Sequence, residues 1–242
     1  HMTDASAALT RTDRGVMGID TGGNADLGNH IRVTLESAPA GELATGVIPY
    51  LGATGDVGLA VNVSVPVVYD PGEDTEIGGG DDVGLRPLLA SDFTDLTSAT
   101  SMTHALLADT STTLHLSTIA QTFTFAGNGT GGAATLTLNS SLTVNEGVLF
   151  MNNGSTINGV GTLDLGSGEG IVHVYGGNAT IDAPVNIHNL TKAGDNSLRL
   201  TNPNNSITGE TVVNSASLIL GASTAGGTAP IRLLDANLQL DF

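Results

Sequence analysis

The sequence predicts an all-β chain folded as a right-handed parallel β-helix, a solenoid of short stacked strands, with a less regular N-terminal region. Apolar and polar residues alternate over short runs, and Gly, Asn, Ser or Asp separates the runs. Glycine accounts for 33 of 242 residues without the strict period of collagen. Aromatic residues are only 3% of a chain that is 40% hydrophobic. This composition favours a narrow core of stacked aliphatic side chains.

The chain divides by regularity into three parts. Residues 1–2 are interpreted as a cloning remnant, and residues 3–103 as an irregular β-rich region that caps or decorates the solenoid. Residues 104–242 are predicted to form the solenoid repeats. We expect these repeats to be truncated at the C-terminal end of a piece of a longer protein, because an apolar alternation still runs through Leu238, Leu240 and Phe242.

Within the irregular region, the alternation of Ile31, Val33 and Leu35 predicts a half-buried strand. Apolar runs at Val47 to Leu51 and at Val57 to Val68 predict further strands. Residues 70–82 (DPGEDTEIGGGDD) combine six acidic residues with three consecutive glycines, and they predict an exposed loop outside any repeat.

The region predicted to form the solenoid shows imperfect self-similarity. The segments 134–153 and 196–221 both contain a Leu-x-Leu strand, a polar turn, a second strand ending in Val-Asn, and a further apolar alternation. Asn145 and Asn214 match in this alignment. A repeat of this kind predicts stacked coils, and we expect these two asparagines to stack in equivalent turns.

The stretch from Leu190 to Gly221 resembles the autotransporter-associated β-strand repeat of bacterial surface and secreted proteins. That pattern opens with Leu-Thr-Lys-x-Gly, continues with Leu-x-Leu and an Asn turn, and closes with a Thr-x-Val strand. Ile207 keeps the apolar position of the turn, although an aromatic residue is common there, and Ala216 replaces the usual last glycine of the pattern. The matching residues are Leu190, Thr191, Lys192, Gly194, Leu198, Leu200, Asn205, Ile207, Gly209, Thr211, Val213 and Leu218.

The resemblance implies a β-helix in the passenger part of a large exported protein, and therefore a secreted or cell-surface location. It implies no catalytic residue, because the repeat itself has none.

Charge and composition exclude several classes of function. The formal net charge is −17 with only seven Lys and Arg, which argues against binding to nucleic acid or to anionic lipid. No run approaches the roughly 18 apolar residues of a membrane span, so direct membrane insertion of this segment is not predicted. The absence of cysteine excludes disulfides and thiol chemistry.

Calcium is the predicted candidate metal, because hard cations prefer about six to eight oxygen ligands. The alternative is that the six acidic residues of the loop at 70–82 only keep that loop soluble. A weaker second group consists of Asp20, Asn24 and Asp26. The candidate ligands in the acidic loop are Asp70, Glu73, Asp74, Glu76, Asp81 and Asp82.

We therefore expect a non-enzymatic structural or adhesive segment of an exported bacterial protein, a rigid stalk or display surface. Its expected partners are surface glycans or other cell-surface material. We also expect that the chain can associate end to end with itself through open solenoid ends. The alternative is a β-helix with an acidic groove that binds or cleaves polysaccharide. For that alternative, Lys192 and Arg199 are the basic residues expected to face one side.

Overall fold

The computed structural model of the protein describes residue 14 and residues 17–19, 47–55, 63–73, 83–108, 111–127 and 133–242. Parallel sheets stack as a β-solenoid of about six coils, which confirms the predicted fold class. The described residues contain no α-helix and include two short 3-10 turns, Ala90–Asp92 and Leu96–Ser98. The predicted strand at Ile31 to Leu35 lies outside the described residues.

Three parallel sheets form the sides of the solenoid, and a fourth sheet lies upstream in the chain. Sheet 1 has eight strands, sheet 2 has seven and sheet 3 has five. The N-terminal sheet consists of β1 (Met17–Ile19), β2 (Val47–Gly55), β3 (Val63–Asp70) and β4 (Gly84–Pro87). Sheet 1 consists of β5 (Phe93–Asp95), β6 (His104–Ala108), β9 (Thr122–Gly127), β12 (Val148–Asn152), β15 (Glu169–Tyr175), β18 (Asn189–Ala193), β21 (Thr211–Val213) and β23 (Ile231–Leu233). Sheet 2 consists of β7 (Thr112–Leu114), β10 (Thr135–Leu138), β13 (Thr156–Gly159), β16 (Ala179–Ile181), β19 (Leu198–Leu200), β22 (Ala216–Leu220) and β24 (Ala236–Leu240). Sheet 3 consists of β8 (Thr118–Ala120), β11 (Leu142–Val144), β14 (Leu163–Asp164), β17 (Val185–Ile187) and β20 (Ser206–Ile207).

A full coil contributes one strand to each of the three sheets, and each strand pairs with its counterparts in the coils before and after. The first such coil begins with β6 at His104. Register fixes where each coil returns to the same position: Phe123 pairs with Leu149, and Leu149 with Val172. Later coils contain fewer residues, as the pairing of Thr191 with Val212 shows.

The core consists mainly of aliphatic ladders that run along the solenoid axis, with Phe123 and Phe125 among the inward side chains of sheet 1. In sheet 2 one ladder passes from coil to coil through buried inward-facing side chains, each in register with the next. Such alignment buries an apolar face that no single coil could bury alone. This ladder consists of Leu136, Ile157, Ile181, Leu200 and Leu220.

The pairing contradicts the predicted equivalence of Asn145 and Asn214. Asn145 follows β11 in sheet 3, and its backbone N–H donates to Ala120, whereas Asn214 follows β21 in sheet 1 and donates to Lys192. The two asparagines lie at different corners and cannot stack. The alignment failed because strands of all three sheets share the same alternation, so the sequence pattern does not distinguish one sheet from another.

The N-terminal sheet covers the outer face of sheet 1 and thus lies along the side of the solenoid. Its strand β3 is held by Asn152 of β12, whose side-chain oxygen accepts from the N–H of Ser64 at 3.2 Å and whose nitrogen donates to the Ser64 carbonyl at 2.9 Å. Gly52 of β2 lies directly over the ring of Phe150, where an added Cβ would stand 3.1 Å from the ring. This cover explains why outward side chains of sheet 1 are buried.

Candidate functional site

A cleft of about 320 Å³ lies where β3, β4 and the first 3-10 turn meet β6. Arg86 of β4 lines this cleft: its Nε atom donates to Asp70 Oδ2 at 2.8 Å, and its Nη1 atom donates to Asp92 Oδ2 at 2.6 Å. His104, at the start of β6, lines the same cleft, and its Nδ1 lies 3.0 Å from Thr122 Oγ1. The cleft therefore contains two carboxylates joined by one guanidinium, beside an imidazole.

The electrostatics of this cleft favour an ionised Asp70 and a neutral His104. The hydrogen bond from Arg86 is the main cause that lowers the pKa of Asp70 below its ordinary value. Burial lowers the pKa of His104, so the imidazole is neutral at neutral pH. Glycoside cleavage needs a carboxylic acid whose pKa is raised so that it can protonate the leaving oxygen. The arrangement at Asp70 does the opposite and is suited to joining β3, β4 and the turn.

The predicted calcium ligands are only partly within the described residues. Asp70 lies in the cleft with an oxygen bonded to Arg86, and Glu73 follows in the same acidic loop. Asp74, Glu76, Asp81 and Asp82 lie outside the described residues, as do Asp20, Asn24 and Asp26. Within the part of the chain that the structure describes, no group of three or more acidic or histidine side chains could hold a metal ion. Calcium binding by the acidic loop stays a prediction.

A second recess, of about 440 Å³, runs along the outer face of sheet 3. Thr143, Asp164 and Asn186 occupy successive outward positions in register on β11, β14 and β17. Neighbouring coils lie about 4.8 Å apart, so these three positions together with the next coil extend over about 14 Å along the solenoid axis. We call this recess the sheet 3 groove; it is lined by Thr143, Asp164, Gly166, Ser167, Asn186, Ile187, His188 and Thr208.

Hydrogen bonds hold the groove's walls in place. Asp164 Oδ1 accepts from the N–H of Gly166 at 2.9 Å, which fixes the turn after β14. His188 Nδ1 lies 3.0 Å from Thr208 Oγ1 in the following coil. Asn186 lies exposed between these two pairs. The groove therefore presents a carboxylate, an amide and several hydroxyls to a polar ligand.

The structure separates the two basic residues that were expected to face one side. Arg199 lies on the outer face of sheet 2 and forms an ion pair with Asp241 at 2.5 Å. Lys192 lies in sheet 1 at an inward position, in register between Val172 and Val213, and is fully buried. These residues cannot bind one acidic sugar together, so the expectation was wrong.

Lys192 reaches from the core to a corner of the solenoid. Its ammonium group donates to the carbonyl of Gly194 at 2.7 Å and to that of Ser215 in the next coil at 2.8 Å. Burial lowers the pKa of Lys192 to about 8. The amine thus joins two coils by satisfying backbone carbonyls at this corner.

The sequence did not predict two further sets of contacts. Arg14 reaches the outer face of sheet 1, where it donates to Glu169 at 2.8 Å, to Thr191 at 2.8 Å and to the Glu210 side chain at 3.2 Å. Asn205, which belongs to the recognised repeat pattern, bridges two other coils from a buried position. The repeat pattern marked Asn205 as a turn residue, but no local signal pairs Arg14 with partners so far along the chain.

In the described residues, no helix combines the length and the apolar character that crossing a membrane requires. Comparison with known proteins gave no match to any family model, to any curated protein or to any solved structure.

Proposed function

We propose that this chain is a non-enzymatic structural segment of an exported bacterial surface protein, in which it acts as a rigid β-helical stalk or display surface. The observation that supports this proposal is a mainly aliphatic core that continues through about six coils, with mostly polar outward positions on sheets 2 and 3. Each coil is held by its neighbours through parallel backbone pairing and buried side chains, so bending the solenoid would break both. At about 4.8 Å per coil, about six coils provide about 29 Å of axis.

The exported, cell-surface part of the proposal rests on the resemblance of Leu190 to Gly221 to autotransporter-associated repeats. Residues of that pattern have clear structural roles here: Leu198 and Leu200 fill the core, and Lys192 and Asn205 join neighbouring coils. Structural roles of this kind favour a scaffold over a catalyst.

The test is turnover against a panel of acidic and neutral polysaccharides, measured by new reducing ends and by the ultraviolet absorbance of unsaturated products. A scaffold gives the signal of the buffer blank on every substrate. Turnover by the purified chain that is lost in Asp70→Asn or Asp164→Asn, with folding retained, would contradict the proposal and favour a polysaccharide-cleaving enzyme.

The sheet 3 groove supports a second candidate function, the binding of glycans without cleavage. Hydroxyl, amide and carboxylate groups are the partners that sugar hydroxyls require. The groove's lining contains Asp164 and no Lys or Arg, and the chain carries a net charge of −17, so anionic glycans would be repelled. Neutral oligosaccharides are therefore the favoured ligand.

Calorimetric titration with neutral oligosaccharides tests this second candidate. We expect binding that is lost in Asn186→Ala, because Asn186 lies exposed in the middle of the groove. Asn158→Ala, on the outer face of sheet 2, is the matched control and should bind as the unmodified chain does. Equal loss in both variants, or no heat with any neutral glycan, would exclude the groove as the binding site.

A further inference from the structure

Four polar side chains form one row along the sheet 3 groove, one from each of four successive coils. The row consists of Thr143 on β11, Asp164 on β14, Asn186 on β17 and Ser206 on β20, which are in register. The residues beside them on each strand are buried in the core, so the four side chains point outward. Successive members therefore lie about 4.8 Å apart along the solenoid axis.

The polar atoms of this row are available to a ligand. Asp164 uses Oδ1 to accept from the N–H of Gly166. Within the described residues, its Oδ2 atom and the side chains of Asn186 and Ser206 have no hydrogen-bond partner. The Thr143 hydroxyl also has none there. Groups held in register by the strands lose little freedom when a ligand binds, which favours binding.

A glycine at the corner opens the groove beside Asp164. Gly166 lies two residues after Asp164, and the corresponding position of the next coil holds His188. A Cβ at Gly166 would meet only the carbonyl oxygen of Asn145, at 3.8 Å. The missing side chain leaves a recess between the row and the corner, in which a ring-shaped ligand can contact the row from the side.

Both limits of the polar row lie within the described part of the chain. Ile119 of β8 precedes Thr143 in register, and its aliphatic side chain, 40% exposed, offers no hydrogen bond. Beyond Ser206, residues 223–228 form turns instead of a further strand of sheet 3. The polar row therefore has the length of four coils.

We propose that the sheet 3 groove binds an extended, neutral, β-1,4-linked oligosaccharide that lies parallel to the solenoid axis, with one sugar unit against each of the four coils. This proposal rests on the glycan binding proposed above for the groove, and it adds the linkage, direction and length of the glycan. An extended β-1,4-linked chain advances with each sugar unit by a distance close to the roughly 4.8 Å between coils. An α-1,4-linked glucan coils instead, so its successive units leave the line of the row.

Each coil contributes a different hydrogen-bonding group to its sugar unit. The Asp164 carboxylate accepts from sugar hydroxyls, the Asn186 amide both donates and accepts, and the hydroxyls of Thr143 and Ser206 do either. The lining contains no Lys or Arg that could bind the carboxylate of an acidic sugar. The groove therefore fits unsubstituted neutral sugars along its whole length.

Calorimetric titration tests the proposed length and linkage. The probes are cello-, manno- and xylo-oligosaccharides of about two to six units, which are neutral and β-1,4-linked. In the series that binds most tightly, affinity should rise about fivefold with each added sugar up to four units, as one net hydrogen bond gives, and should then stay constant. Maltotetraose, an α-1,4-linked glucan, should bind at least about tenfold more weakly than the best β-1,4-linked tetramer.

Substitutions along the row test the alignment of one sugar unit with one coil. Ser206→Ala removes the last hydroxyl, so the tetramer should bind only as tightly as the trimer, while binding of the trimer is retained. Thr143→Val should do the same from the other end. Asn186→Ala should weaken binding of both lengths. Thr180→Val, on the outer face of sheet 2, is the matched control for Thr143→Val and should bind as the unmodified chain does.

The outcomes separate this proposal from the function on which it rests. The absence of heat with every neutral oligosaccharide would overturn both. Equal losses in Thr143→Val and Thr180→Val would place the binding site outside the groove and would also overturn both. Three results would overturn the proposed alignment alone and leave glycan binding in place. These are equal affinity for maltotetraose and the β-1,4-linked tetramer, affinity that does not rise from two to four units, and loss of trimer binding in Ser206→Ala.

Discussion

The side-chain oxygen of Asn205 accepts a hydrogen bond from the backbone N–H of Val185, which lies one coil earlier, at 2.9 Å. The nitrogen of the same amide donates to the carbonyl of Ala225, one coil later, at 2.7 Å. One buried side chain thus joins three successive coils through their backbones. The amide carries its acceptor and its donor on two separate atoms, so the side chain binds a different coil with each.

Asn205→Ala should destabilise the protein by about 3 kcal/mol, because it leaves two backbone groups without their partner in a buried place. Chemical denaturation monitored by circular dichroism measures this loss. Asn204→Ala is the matched control, since Asn204 is the exposed neighbour in the same turn, and it should change stability by less than about 0.5 kcal/mol. Similar losses in the two variants would show that turn propensity, and not the bridge, explains the effect.

Much of the fold was predictable because the alternation of apolar and polar residues along a strand is a strong local signal. Runs such as Leu136 and Leu138, or Leu198 and Leu200, alternate cleanly and were correctly predicted as strands with inward leucines. The assignment of strands to sheets was not predictable. Which side of the solenoid a strand joins depends on the length of each corner, and these lengths differ from one coil to the next.

The candidate sites were less accessible to sequence reasoning, because they depend on contacts between distant segments. Arg86 meets Asp92 nearby in the chain, but the sheet 3 groove joins residues from four coils. From the sequence, Lys192 was expected to face the same side as Arg199. Its burial follows from register with Val172 and Val213, which only the stacking of coils establishes.

The close approach of two backbones at one corner of the solenoid predicts that a glycine there cannot be replaced without loss of stability. A Cβ at Gly161 would stand 2.1 Å from the carbonyl oxygen of Ser140 in the preceding coil, and both are backbone positions that cannot yield separately. Gly161→Ala should therefore destabilise the protein by about 2 kcal/mol or more. Thermal unfolding followed by calorimetry measures this change.

Gly168→Ala provides the control for that substitution. Neither glycine has a positive φ, and a Cβ at Gly168 would meet nothing within 4 Å. The alanine there restricts the unfolded chain without a clash, so stability should stay the same or rise by up to about 1 kcal/mol. If both variants lose stability alike, the close contact between coils at Gly161 is not the cause.

The cleft around Arg86 predicts a coupling free energy between Asp70 and Arg86 that disappears in acid. The pKa of Asp70 is lowered chiefly by the hydrogen bond from Arg86, so the pair contributes stability above the unfolded value of 3.8. This contribution is lost as pH falls through the lower pKa of the folded state. Because the pair is partly exposed, we expect a coupling free energy of about 1 kcal/mol at neutral pH.

A double-mutant cycle with Asp70→Asn and Arg86→Met, measured by urea denaturation at neutral pH and again well below pH 3.8, isolates this coupling from other effects of each substitution. The coupling should approach zero in acid, where Asp70 is protonated. A coupling that is unchanged in acid would mean that packing, and not the ion pair, links these residues.

Buried Lys192 predicts that stability rises with pH in mildly alkaline solution. Its pKa is about 8 in the folded protein and 10.5 in the unfolded chain. Below the folded-state pKa the amine is charged in both states, and its contribution does not change with pH. Between these two values the unfolded chain still holds the proton that the folded protein has released, so the free energy of unfolding increases with pH. Over the whole interval the increase amounts to about 3 kcal/mol.

Comparison with Lys192→Met isolates this effect. Burial raises the pKa of Tyr175, which lowers stability in alkaline solution, but Tyr175 is present in both proteins and cancels in the difference. Urea denaturation at a series of pH values from about 7.5 to about 9.5 should therefore show the stability of the unmodified chain rising relative to Lys192→Met. Methionine cannot release a proton, and so its variant lacks this dependence. A difference that stays constant across the series would mean that Lys192 keeps its proton in the folded protein, and that water or an acidic neighbour such as Asp195 offsets its burial.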